Sequence, residues 1–88
     1  MRKFKFHYDA AHGWLKVHKL DLADIRMYPY NFTSFSYRDN DWFYLEEDRD
    51  ASKFLAEYDR MFGVGQFHIV EVNDGDESPI RNLPRNHQ

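Results

Sequence analysis

The chain contains no cysteine. No disulfide can staple it, and no thiolate can serve as a metal ligand or nucleophile. Small secreted domains commonly depend on such staples, so a reducing cytosol is the expected compartment. Long apolar runs are missing as well. Nothing approaches the roughly 18 consecutive apolar residues of a membrane span, so no membrane partner is expected. Residues 1–6 carry Arg2, Lys3 and Lys5 but no apolar stretch of the kind a secretory signal needs. Repeats and interdomain linkers are lacking. So are a Gly-X-Ser-X-Gly elbow, a phosphate loop and a dinucleotide fingerprint.

Aromatic residues are abundant instead: eight Phe, six Tyr and two Trp among 88 residues. A chain of this length builds one core rather than two. Each ring can bury on the order of 150–250 Å², which argues against disorder. The net charge of -3 hides an uneven distribution. Residues 1–20 hold Arg2, Lys3, Lys5, Lys16 and Lys19 against Asp9 alone. Residues 39–50 hold six carboxylates against Arg49, and residues 71–77 hold four with no base.

Periodicity divides the chain into elements. Residues 3–8 alternate lysine or histidine with aromatic rings, which predicts a half-buried strand. Residues 14–19 alternate again, with Leu15 and Val17 on one face and Trp14, Lys16 and His18 on the other. Gly13 between them suits the positive φ of a turn, giving a hairpin. Residues 21–27 predict a short helix capped by Asp21 and stopped at Tyr28-Pro29. Residues 31–37 and 42–46 read as a second hairpin around the turn residues 38–41. Ala51, Phe54, Leu55, Tyr58, Met61 and Phe62 form one apolar helical stripe, with Asp48 or Asp50 as cap and Gly63 at the C-terminal αL position. Residues 66–72 read as a last strand.

The expectation is therefore an α+β fold. An antiparallel sheet of about five strands, two hairpins plus a C-terminal strand, carries one long helix on one face and one short helix. Residues 1–72 form the domain and 73–88 a flexible tail.

Two stretches carry a resemblance. The run Tyr8-Asp9-Ala10-Ala11-His12-Gly13-Trp14-Leu15-Lys16-Val17 is similar to the opening of a family of small uncharacterised phage, prophage and plasmid proteins. Tyr44-Leu45-Glu46-Glu47-Asp48-Arg49-Asp50-Ala51, followed by Phe54-Leu55, resembles that family's second signature, and Phe35-Ser36-Tyr37 sits where members tend to have a Ser-Tyr pair. The likeness runs from about residue 4 to 62, and Arg49 departs from it by standing where a cysteine is usual. It implies a bacterial cytoplasm, a mobile element and a protein that binds a host protein, such as an inhibitor of a CRISPR or restriction nuclease. It implies no catalytic or binding residue.

Several constellations could carry chemistry. His7, Asp9 and His12 offer imidazole and carboxylate for a divalent ion, as the centre of a metal-dependent enzyme. The plainer reading makes Asp9 and His12 turn caps. His12 beside Asp9, or His68 beside Glu71, could act as an acid–base pair. Neither comes with a nucleophile or a pocket signature, so the chain reads as a non-enzyme without cofactor. Lys3, Lys5 and Lys16 interleaved with Trp14 suit nucleic acid, although a pI near 5.9 is far from the usual basic range. The acidic residues Asp39, Asp41, Glu46 and Glu47 could cluster and imitate a phosphate backbone; four of the band's six acids, Asp39, Asp41, Asp48 and Asp50, are equally explained by turns and caps. Finally, Trp42, Tyr44 and Trp14 face away from Phe43 and Leu45. They form either an exposed binding surface or a small second core. The leading expectation is a host-protein binder that uses Trp42, Tyr44, Trp14 and those four acids, with a homodimer through an open sheet edge as a further option.

Overall fold

The alternation at the N-terminus folds as it reads. In the computed structural model, which describes residues 1–87, β1 (Arg2–Tyr8) and β2 (Gly13–His18) pair antiparallel with Lys5 opposite Lys16. Next come α1 (Lys19–Asp24), a 3-10 turn (Pro29–Asn31), β3 (Tyr37–Asp39), β4 (Trp42–Glu46), α2 (Asp50–Phe62), β5 (Phe67–Asn73) and a second 3-10 turn (Pro79–Asn82). The strand order is β3-β4-β2-β1-β5, an α+β arrangement with one main helix. Among the described residues no helix is long and apolar enough to cross a membrane.

The sheet is mixed rather than wholly antiparallel. β5 lies parallel to β1, with Phe4 opposite Ile69. The physical reason is the crossover. β4 runs in the direction of β1, and α2 carries the chain back along the sheet, so β5 re-enters in that same direction.

Local chemistry shifts three predicted boundaries. α1 starts earlier than residue 21, because the His18 ring accepts from the Leu20 amide at 3.1 Å while Asp21 accepts from the His18 amide at 2.8 Å. Asp21 is therefore the reciprocal member of a capping box, not the cap. The strand expected over 31–37 shrinks to Tyr37–Asp39. Pro29 opens a 3-10 turn, and the hydroxyls of Thr33 and Ser36 are drawn to the Asp50 carboxylate at 2.8 and 2.5 Å. Side-chain bonding of this kind competes with a strand ladder. Asp50 is consequently a buried tie for that loop and not a helix cap. The Glu46 carboxylate instead accepts from the amides of Asp48 and Arg49 ahead of α2.

One face of the sheet meets α2. Phe4, Leu15, Val17, Phe43 and Leu45 pack against Ala51, Phe54 and Tyr58, with Leu22 and Ile25 closing one side. Phe4 meets Phe54 and Tyr58 edge to face at 5.3 and 5.4 Å; such ring pairs add about 0.5–1.5 kcal/mol each. The stripe frays at its end, where Met61 and Phe62 are exposed. Gly63 then has a φ of 93° and a ψ of 155°, an extended conformation of positive φ open to glycine rather than αL.

The opposite face is also covered, which corrects the reading of 73–88 as a flexible tail. Trp14, Tyr37, Tyr44 and Ile80 form a second buried cluster, with Trp42 and Leu83 against it. The Arg38 amide donates to the Pro84 carbonyl at 2.9 Å, and the Asn86 amide donates to Ser36 at 2.8 Å. The Asn86 side chain, itself buried, donates to the Pro29 carbonyl at 2.9 Å. The domain thus extends through the C-terminal segment; the last residue of the expected tail, Gln88, lies outside the described residues. Residues 84–86 also shield the free edge of β3, whereas β5 leaves its outer edge open and exposes Ile69 and Val70.

Candidate functional site

The two segments that carry the family resemblance meet at one end of the sheet. β2 and β4 pair with Trp14 opposite Glu46, and the Glu47 amide donates to the Gly13 carbonyl at 3.1 Å. The turn before Gly13 is built by Asp9, whose carboxylate accepts from the amides of Ala11 and His12 at 3.0 and 2.9 Å. Gly13 has no positive φ, contrary to expectation. Its requirement is space: a Cβ there would lie 2.3 Å from Cζ of Phe6.

A cleft of about 270 Å³ opens between these segments and the C-terminal one. The buried rings of Trp14 and Tyr37 form its floor, and His12, Arg81 and Arg85 stand around them. Phe35, Glu46 and Asp48 complete the lining, with Phe35 58% exposed. The guanidinium of Arg81 lies 5.2 Å from the Trp14 ring centre, and that of Arg85 lies 5.0 Å from Tyr37. Each is a stacked cation on an aromatic face. His12 separates this cleft from a second one of about 400 Å³, lined in part by Phe6, Tyr8, Glu47 and Glu71.

Asp9 anchors the arrangement. Its side chain is fully buried and receives Arg81 through two nitrogens at 2.7 and 3.1 Å, with the Ser78 amide at 2.8 Å. The Arg81 bonds, then the Ser78 amide, hold its carboxyl far below the usual carboxylate range. The same pair pushes Arg81 upward.

The remaining predicted residues divide. Trp14 and Glu46 line the cleft, and Glu47 lines its neighbour. Tyr44 is buried under the outer cluster, where desolvation, ahead of the Asp39 and Asp74 charges, pushes its phenol up. Trp42 is half-buried. The exposed aromatic surface is thus mostly a second core. The acidic band is not continuous either. Asp39 and Asp41 sit at the opposite end of β4 from Glu46 and Glu47, about 13 Å away at the rise of an extended strand. Asp41 is bound to Lys19 at 2.9 Å, which lowers its pKa.

His7, Asp9 and His12 are not brought together as ligands. His7 bonds to Asp74 at 3.2 Å, Asp9 is enclosed by Arg81 and amides, and His12 stands at the cleft. Among the described residues no group of three or more metal-ligating side chains occurs. Lys3 and Lys5 remain exposed, and the Lys16 amine sits 4.4 Å from the Trp42 ring centre.

Sequence reasoning missed Arg81 and Arg85. A signal was present: Ile80 and Leu83 stand three residues apart, each in a proline-flanked run followed by an arginine.

The molecule is therefore a mixed-sheet α+β domain with a cleft between one end of its sheet and a C-terminal strap. Comparison with family models, with curated proteins and with solved structures finds no match to this chain.

Proposed function

We propose that the chain is a non-enzymatic accessory protein of a phage or related mobile element that binds a host protein and so inhibits a bacterial defence system, such as a CRISPR or restriction nuclease. The observation that supports this reading is the cleft. Its lining is the chemistry of binding hot spots: Trp14 and Tyr37 with stacked Arg81 and Arg85, an exposed Phe35, and carboxylates on the rim. Its size points the same way. Small-molecule pockets run from about 300 to 1,000 Å³. A cleft near 270 Å³ suits one or two side chains of a protein partner better than a whole metabolite. The mobile-element context comes from the resemblance of the two motif segments that form the cleft.

The test is capture of a partner from host lysate by the full chain, alongside phage plaquing on defence-proficient cells. Phe35→Asp and Asp48→Lys change the exposed lining without touching either core, and both are expected to lower capture and restore defence. Capture of no protein, with plaquing unchanged by expression, overturns the reading.

A further inference from the structure

The C-terminal strap covers only part of the outer face. Register shows which part stays open. One rung across the sheet runs Val70, Lys5, Lys16, Tyr44, Tyr37. The next toward the strap runs Val72, His7, Trp14, Glu46. On the far side, His68 pairs with Lys3 and His18 with Trp42. The strap lies on Trp14, Tyr37 and Tyr44. Beyond it are Lys3, Lys5, Lys16, His18, His68 and Trp42, of which Lys3, Lys5 and His68 are exposed and the others half-buried.

This half carries a cost that the fold does not explain. Lys5 and Lys16 stand directly opposite in an antiparallel pair, where like charges destabilise. Lys3 is two residues along the same strand, so three ammonium stems lie within about 10 Å. The nearby carboxylates are engaged elsewhere: Asp41 by Lys19, Asp21 by Arg2 and Asp74 by His7. Of the other carboxylates on this face, Glu46 accepts from the amides of Asp48 and Arg49 at the strap end, and Asp39 stands opposite Trp42 at the far side. Lys16 finds relief over the Trp42 ring, and the His18 ring meets that indole edge-on at 4.9 Å. Among the described residues Lys3 and Lys5 gain no such contact, and local rules broken with so little compensation are a mark of functional sites.

We infer that this open half of the outer face binds single-stranded nucleic acid. The lysines supply phosphate contacts, and Trp42 supplies a stacking platform when a base displaces Lys16 from its ring. A duplex keeps its bases stacked inside and offers nothing to an indole on a flat sheet. The surface spans β5, β1, β2 and β4, about 14 Å at ordinary strand spacing, enough for a few nucleotides. It is separate from the His12 cleft, so the two readings stand or fall independently.

The test is anisotropy of a labelled oligothymidylate of about ten nucleotides, titrated with the full chain over a salt series, with tryptophan fluorescence read in parallel. Binding is expected with a log–log salt slope of about -2, the value for three phosphate contacts on a single strand. Lys5→Ala and Lys16→Ala should each flatten that slope by about 0.7. Trp42→Leu should weaken binding about 5- to 150-fold and abolish the fluorescence change. Because Trp42 also touches the outer core, the lysine variants carry the decision if that variant unfolds. Three results overturn the inference: no anisotropy change, unaltered binding by the Lys3/Lys5/Lys16→Ala triple variant, or equal competition by duplex DNA or polyglutamate. The last would mark a surface that takes any polyanion or an acidic protein.

Discussion

The two faces of the sheet are covered by different means. On one face a 13-residue helix lays a periodic stripe over Phe4, Leu15, Val17 and Leu45. On the other, a segment with a single 3-10 turn sets Ile80 among Trp14, Tyr37 and Tyr44, with Leu83 and Trp42 each packed against that cluster. The first cover is continuous and cooperative, formed from hydrogen bonds within the helix and apolar contacts beneath it. The second is pinned at separate points: Asp9 to Arg81 and Ser78, Ser36 to Asn86, and Arg38 to Pro84. A face can be sealed without regular structure if buried polar anchors replace the missing ladder.

Paired truncations break or sharpen this contrast. Phe54→Ala is expected to cost about 3–5 kcal/mol, as for a fully buried aromatic, and Ile80→Ala about 2–5 kcal/mol. Denaturant unfolding of both variants checks this. If Ile80→Ala costs less than about 0.5 kcal/mol, the level of ordinary surface changes, the outer cover is no core. Gly13→Ala should cost about 1–3 kcal/mol, because the Phe6 ring must leave its place, and thermal melts will register it.

The last test belongs to the acid limb of the stability curve. The folded Asp9 carboxyl titrates well below its ordinary value of 3.8. Its contribution is therefore complete above the unfolded pKa. It erodes as pH falls below about 4, where the unfolded chain takes up the proton first. In Asp9→Asn that component is absent, so stability below pH 4 should fall less steeply than in the parent. Equal slopes in urea titrations across that range would show that Arg81 does not favour the ionised carboxylate.

The same contrast explains what was legible in the sequence. The helix face was readable because burial there follows simple periods: two for Phe4, Leu15, Val17, Phe43 and Leu45, and three to four for Ala51, Phe54 and Tyr58. The division of Trp14, Lys16, Trp42 and Tyr44 onto the other face was readable by the same alternation. What covers that face was not, since Pro79, Pro84 and the polar residues around them imitate a solvated tail. The parallel β5 was hidden too, because strand direction is set by the path of α2 and leaves no mark within residues 67–73. At the cleft, Trp14 and Glu46 were found as residue types suited to binding, as was Glu47 in the neighbouring one. Arg81 was missed because Asp9 takes its partner from across the whole domain, and Arg85 because its place over Tyr37 depends on the path of the strap.

That long reach has a consequence in time. β1 cannot complete its ladder until β5 exists, and Asp9 cannot be neutralised until Arg81 does. At synthesis rates of about 5–20 residues per second, the first hairpin, complete at His18, waits about 3–13 s for Arg81. Contacts so distant along the chain also slow the search itself. The nascent protein therefore passes through a stage in which Trp14 and the β1 edge are both bare, open to chaperones or to other chains, until β5 and the strap emerge to close it.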